Sequence, residues 1–343
     1  MKYDRVILIS IDSLGAKYKK FFSGYFTTEY QNYHTTSSWT LPSHLTMLSG
    51  LKFPSIRLQK KTKDYARYEN FASHIPTIST LLRKNGFKTR AVTGGGFMSK
   101  FFGWGQDWGR WEEAYDNRSE WIGDKILPKK KEFLFLHTYF IHNWFNQNKS
   151  MGEKFSKFKT KLEYGEKIDL REYDKFVKEA KRIYERRIKL ISKKLRWIKT
   201  LPKNCLVILT SDHAELFSRP GSFHHGNFAL RNEDVYNVPL LIREDIDKKI
   251  IIREHFFDFL IPKLKLDKLN IQFESISNRL IRENLELGDE LNRIHQSKAW
   301  SVLNIYKQIN SQAFTSAAVI TNKIFPLTQR ISIRKILKIL HII

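Results

Sequence analysis

The chain is 343 residues long and carries 60 Lys and Arg against 35 Asp and Glu, a formal net charge of +25 that demands an acidic partner. At 41% hydrophobic and 14% aromatic it can bury a large core, which excludes intrinsic disorder despite the charge. The single cysteine, Cys205, excludes an intrachain disulfide framework and a cysteine-based zinc site, and no apolar run reaches the roughly 18 to 20 residues of a membrane-spanning helix.

Arg5 to Asp12 (RVILISID) is a continuous β-branched run ending on a carboxylate, the pattern of a buried parallel strand. It runs into Asp12 rather than into small residues, so it reads as a strand and not as a secretory signal, and the expectation is a cytoplasmic chain. After a polar loop at 26 to 38, Pro42 to Leu48 reads as a helix start, with Pro42 in the first turn. Pro76 to Asn85 is an amphipathic helix closed by Gly86, followed by a short strand, Thr89 to Thr93, and a flexible run of Gly94, Gly95 and Gly96. Phe133 to Tyr139 and Cys205 to Thr210 are two more apolar strands, and Val238 to Ile242 reads as a fifth. Strands alternating with helical segments predict an α/β fold with a mostly parallel central sheet flanked by helices on both faces.

Between 149 and 200 lie 18 Lys and Arg against 8 Asp and Glu, a local net of +10. The core of this stretch reads as one long helix from about Leu170 to Lys199. Its apolar residues Leu170, Tyr173, Phe176 or Val177, Ala180, Ile183 or Tyr184, Ile188, Ile191, Leu195 and Ile198 recur at three- and four-residue intervals. The predicted organisation is a catalytic domain over 1–245, with a basic helical insertion at about 146–200, and a mainly helical basic region over 246–343. The last segment, Arg330 to Ile343, suits either a membrane interface or docking on the protein body, and its shortness favours docking.

Metal-ligand residue types stand at predicted strand ends or in adjoining turns: Asp12, the turn from Trp39 to His44, and Asp212 with His213. Ligands of parallel α/β sheets bind outside the carboxyl ends of the strands, so these groups can converge on one crevice. Carboxylate oxygen with imidazole nitrogen suits zinc or manganese. That Asp12 or Asp212 merely caps the turn that follows is the lesser reading for either residue alone, and far more so for both together with their neighbours. Thr40 likewise has two readings. It is an N-cap for the helix at Pro42, or a nucleophile whose alkoxide a divalent cation would favour.

The segments ILISIDSL (7–14), WTLPSHLTMLSGL (39–51) and LVILTSDHAEL (206–216), in that order and separation, resemble the metal-binding signature of the sulfatase family within the alkaline phosphatase superfamily. PTISTLLRKNGFKTRAVTGGGF (76–97), Gly103 to Tyr115 and VYNVPLLI (235–242) are similar to further family segments, so the likeness spans roughly 4 to 243. It implies that Asp12, Thr40, Asp212 and His213 bind a divalent metal, with zinc or manganese favoured, calcium left open, and one ion or two. Thr40 would be the nucleophile. Threonine stands where sulfatases carry the Cys or Ser that becomes formylglycine, and it cannot undergo that conversion; His44 replaces the motif's arginine. The Thr-x-Pro-x-His form is instead similar to the phosphodiesterase and nucleotide pyrophosphatase branch, which favours phosphoryl chemistry.

By the same resemblance His142 holds substrate or protonates the leaving oxygen, and His225, before Gly226, joins the substrate site or a second metal. His44 and His137 are assigned to substrate binding, although for His137 and His224 a satisfied structural histidine stands as an equal reading. The expected function is a metal-dependent hydrolase or transferase acting on phosphate or sulfate esters, with phosphodiester cleavage or phosphoryl-linked transfer favoured. An unusual sulfuric ester hydrolase and a non-catalytic polyanion-binding scaffold are the alternatives. The expected partners are an anionic ester substrate, glycan- or lipid-linked, and a peripheral anionic membrane or polyanion at the basic helices. No specific nucleic-acid module is recognised.

Overall fold

The computed structural model describes residues 3–30, 33–50, 71–73, 75–114, 127–218, 223–225 and 232–243. All of them fall within one compact unit, residues 1–273, and the expected helical region 246–343 lies outside the described residues.

In chain order the main elements are β1 (Arg5–Ile11), β2 (Thr28–Glu29), α1 (Thr40–Ser49), α2 (Ile78–Lys84), β3 (Lys88–Thr93), β4 (Arg110–Glu113), β5 (Glu132–Thr138), α3 (Lys149–Tyr164), α4 (Leu170–Lys194), β6 (Cys205–Thr210) and β7 (Leu241–Arg243). They form a sheet of order β2-β7-β6-β1-β5-β3-β4. The neighbours β6, β1, β5, β3 and β4 all pair in parallel, while β7 runs antiparallel to both β6 and β2. The expected strand over Val238 to Ile242 is therefore shorter and reversed: Pro239 has no N–H to give a ladder, and pairing begins at Leu241.

The central strands are buried on both faces, and their period of two sorts the residues between two helical layers. Ile7, Ile9 and Ile11 of β1, with Leu134, Leu136, Val207 and Leu209, join one core cluster with Phe158, Tyr173, Phe176, Ile183, Tyr184 and Ile188 of α3 and α4. The opposite parity faces α1 and an aromatic layer: Ser10 bonds His44 of α1, and Phe133 and Phe135 lie 5.5 and 5.9 Å from Trp108. Helices thus cover both faces, and the basic segment is the crossover from β5 to β6 that closes one of them.

α4 begins on Asp169, whose carboxylate accepts the N–H groups of Arg171 and Glu172. Its buried residues are the expected series, each fully buried aliphatic being worth roughly 1.5–3 kcal/mol, except that Leu170 at the first turn is exposed. α-Geometry ends at Lys194 rather than Lys199. The last turn, Leu195–Thr200, tightens to a 3₁₀ helix ahead of the Leu201-Pro202 pair, where a helix cannot continue. A separate helix, α3, precedes it, capped by Asn148 and closed by Gly165 at φ 66°.

α4 also fixes the loop after β1. The Tyr184 phenol donates to the Ser13 carbonyl at 2.6 Å, and Ser13 sits at φ 67°, a left-handed conformation that a serine adopts only when its surroundings hold it. Tyr184→Phe strands that buried carbonyl and is expected to lower unfolding free energy by about 1–3 kcal/mol, read from the urea midpoint.

Candidate metal and nucleophile site

β1 and β6 are adjacent, with Ser10 opposite Thr210, so Asp12 and Asp212, each two residues on, emerge side by side with the same parity. Ser10 is also opposite His137 of β5, which brings that histidine to the same end of the sheet. α1 supplies the fourth wall. It starts at Thr40, two residues before the expected start, and its N-cap is Trp39 with no side-chain cap bond. Thr40 is therefore not the helix cap; its hydroxyl donates to Asp12 Oδ2 at 3.0 Å.

Asp12, Asp212 and His213 are completely buried, as are His44 and His137, and Thr40 is nearly so. Asp212 Oδ1 accepts the N–H groups of Ser13 at 3.1 Å and His213 at 3.0 Å, and Asp12 Oδ1 accepts the Ser13 hydroxyl at 2.8 Å. The remaining atoms are not provided for. Asp212 Oδ2 and His213 Nε2 have no hydrogen-bond partner and lie 3.4 Å apart, with Asp12 Oδ1 3.9 Å from that nitrogen. The His213 Nδ1–H donates to the Ala214 carbonyl at 3.3 Å, so the Nε2 lone pair points at the carboxylates.

Lone pairs facing one another in a fully buried pocket favour a cation between them. Burial and then the neighbouring Asp12 charge push Asp212 upward, whereas for Asp12 burial is outweighed by His142, His137 and His213, which hold it well below the carboxylate range. Burial opposes charge on His213 too, yet Asp212 and Asp12 outweigh it and raise its pKa. A proton on His213 answers part of the demand; a divalent ion held by Asp12, Asp212, His213 and the Thr40 hydroxyl answers all of it. The donor set, three oxygen-bearing side chains and one imidazole, fits such an ion.

The other histidines divide clearly. His44 donates through Nδ1 to the Thr40 carbonyl and accepts the Ser10 hydroxyl at Nε2, both at 2.9 Å. Burial, reinforced by His137, pushes its pKa down to about 3. With both nitrogens engaged inside the protein, His44 braces the first turn of α1, and its ring has none left for the substrate contact expected of it. His137 accepts the Gly94 N–H at Nδ1 (3.3 Å) and turns Nε2 toward Asp12 Oδ2 at 3.6 Å, beneath the metal group.

His142 opens the 3₁₀ segment after β5; its Nδ1–H donates to Asn143 Oδ1 at 3.0 Å, leaving Nε2 to the site. Its ring lies 5.0 Å from that of His225, which stacks on His213 at 4.3 Å. His225 therefore reaches the site, but through a second cluster that the sequence reading did not contain. Glu215, fully buried, accepts the Nδ1–H of His224 at 2.7 Å and of His225 at 3.0 Å. Burial would raise this carboxyl; His224 and His225 overcome it and hold it far below the usual range. Glu215 fixes both tautomers and aims each Nε2 outward. Its signal was present as the acid two residues after His213, a spacing that places both side chains on one side of an extended segment.

Tyr139 is the other residue missed. Its hydroxyl accepts the Phe97 N–H at 3.1 Å and bonds the Thr40 side chain. Burial, then the Asp12 and Asp212 charges, raises its pKa well above 10, so it stays a neutral donor. Two of the three glycines read as flexible, Gly94 and Gly96, are the bed for this ring: a Cβ on Gly94 would stand 2.7 Å from Tyr139 Cδ2, and Gly96 turns at φ 55°.

The Sulfatase family model matches residues 6–255. No curated protein matches the sequence. Among solved structures, a protein of the alkaline phosphatase superfamily from Vibrio parahaemolyticus superposes with TM-score 0.51 at 15% identity, over 78% of this chain and 68% of that one. The C-terminal periplasmic domain of phosphoethanolamine transferase EptC from Campylobacter jejuni gives 0.51 at 12% identity, over 78% and 91%, and a 2-O GAG sulfatase gives 0.50 at 10%, over 78% and 72%. At such identities these likenesses speak for the fold, which is theirs: an α/β, mostly parallel sheet. The family model covers well over half of the chain, including every segment that builds the buried carboxylate pair, and the chain belongs to the sulfatase family, as an enzyme acting on sulfate or phosphate esters.

Proposed function

We propose that this enzyme is a metal-dependent phosphodiesterase or phosphoryl-linked group transferase that uses Thr40 as its nucleophile. The observation that carries the reading is the Thr40 hydroxyl on Asp12 Oδ2, beside the two orphaned atoms of Asp212 and His213. A divalent cation bound there supplies positive charge that favours the threonine alkoxide and offsets charge gathering on the transferred group.

The chain's own groups do the rest. Asp12 Oδ2, which already accepts the Thr40 hydroxyl, takes its proton as Thr40 Oγ1 attacks phosphorus; the Thr40 O–P bond forms as the bond to the leaving alcohol breaks. His142, with Nε2 turned to the site by Asn143, delivers a proton to the departing oxygen. Tyr139 donates to the oxygens around Thr40. Water or an acceptor alcohol, deprotonated by His142, then attacks the phosphothreonine, and the proton held by Asp12 Oδ2 returns Thr40 as a hydroxyl. Threonine favours phosphate over sulfate here because sulfatase chemistry relies on a formylglycine that threonine cannot form.

The reading is tested with chromogenic phosphate monoesters, phosphate diesters and sulfate esters, each with added Zn²⁺ or Mn²⁺. Diester cleavage should lead, and Thr40→Ala should lower its kcat by at least about a thousandfold, the scale of nucleophile removal; full activity in that variant defeats the assignment. Asp212→Ala should reduce metal per chain, measured by plasma mass spectrometry on dialysed protein. Glu215→Ala should cost about 10- to 100-fold in turnover while leaving the fold intact by circular dichroism, as loss of an orienting carboxylate does.

A further inference from the structure

The wall of the active site made by residues 139–148 has a second side. Behind it, between that segment and α4, lies a cavity of about 550 Å³, within the range of small-molecule sites. Its apolar surface comes from Phe140, Ile183 and Leu190, and Leu190 is 46% exposed despite its size. Its charge comes from Arg182, Arg186 and Arg187.

Those three arginines are not equivalent. Arg187 is committed to the fold: it donates to the Asn143 carbonyl and lies over the Phe140 ring at 4.9 Å, tying α4 to the His142 segment. Arg182 and Arg186 are exposed, and among the described residues no carboxylate pairs with either. The acidic residue of the cavity, Glu179, is already neutralised by Lys154 at 2.8 Å. Arg182 and Arg186 stand four residues apart, one above the other on the helix, where like charges repel and weaken it. An anion between them reverses that repulsion, and two guanidinium forks match the oxygens of a phosphate.

We propose that this cavity is a second binding site, distinct from the metal centre, for an organic phosphate carrying an apolar substituent. Arg182 and Arg186 grip the phosphate; Phe140, Ile183 and Leu190 receive the apolar part. The ligand can be a free amphiphilic phosphate or the head and upper chain of a membrane phospholipid, since both offer the same chemistry. The site does not depend on Thr40 as nucleophile, and its occupancy bears on the segment that holds His142 through Phe140 and Arg187.

Titration calorimetry of the full chain in EDTA, with dihexanoyl phosphatidic acid below its micellar concentration, reads the site without turnover. Saturable one-to-one binding is expected, weakened at least tenfold in an Arg182→Glu/Arg186→Glu double variant and unchanged in Asp12→Asn, which disables the metal centre. Glycerol 3-phosphate should bind at least tenfold more weakly than the lipid, and Leu190→Gln should narrow that gap. Equal affinity in the double-Glu variant overturns the proposal, as does loss of binding in Asp12→Asn with retention in the double variant. Vesicles of phosphatidylcholine with phosphatidic acid separate the sources: capture by vesicles as well as by monomeric lipid supports a membrane-borne ligand, and monomer binding alone supports a free one. Capture by vesicles without monomer binding means a diffuse charged surface and overturns the cavity.

Discussion

Two carboxylates brought together out of water at the ends of neighbouring strands are the constraint around which this protein is organised. Asp12 and Asp212 are both fully buried, and the hydrogen bonds around them satisfy only part of their oxygens. Leaving a buried charge unpaired costs several kcal/mol, enough to consume much of a domain's net stability. The fold tolerates the pair by arranging donors on one side, the N–H groups of Ser13 and His213, while the unbonded Asp212 Oδ2 and His213 Nε2 on the other side would fit a cation. The left-handed Ser13 belongs to this arrangement: only in that turn does its N–H reach Asp212 while its hydroxyl reaches Asp12, and the Tyr184 bond to its carbonyl holds it there.

From that constraint the roles of the surrounding elements follow. α1 is placed so that its first residue, not its cap, meets Asp12, and His44 locks that turn by joining the Thr40 carbonyl to Ser10 of β1. Neutral His44 adds no charge where charge must be reserved for the ion and the substrate. The second cluster uses the opposite device. One carboxylate, Glu215, accepts from two imidazoles and so holds His224 and His225, and through the latter's stacking on His213 it gives the crevice a rigid rim.

Much of this was legible in the sequence because it rests on local pattern. β-Branched runs ending in Asp12 and Asp212 state both the strand and its carboxyl end, and the apolar spacing of α4 states which face packs. What was not legible depends on residues meeting across the chain. His44 stands four residues after Thr40 in both the functional and the structural reading; only the approach of Ser10 from another element decides between them. Glu215 looks like a solvent-facing acid until the turn at 223–225 folds over it, and Gly94 and Gly96 look like slack until Tyr139 fills the space they leave. The same applies to β7, whose reversal is set by its pairing with β2 and not by its composition.

The excess positive charge takes its meaning from topology. Once the segment from 149 to 200 is recognised as the crossover between β5 and β6, its apolar stripe is spent on the sheet, and its basic side cannot be an independent appendage. It is bolted to the catalytic strand end: α4 touches the loop of Ser13 through Tyr184 and the loop of His142 through Arg187. A field of one sign raised on such a helix draws anions toward the protein at a distance comparable to the Debye length, about 8–10 Å in physiological salt. An ion held by Asp12 and Asp212 would, by contrast, act only at contact. An anionic ester would then meet two layers of positive charge in series, a screened outer one that concentrates it and a desolvated inner one at the carboxylate pair. Because the outer layer is mounted on the same helix that braces the inner one, a change in how α4 packs would alter capture and chemistry together.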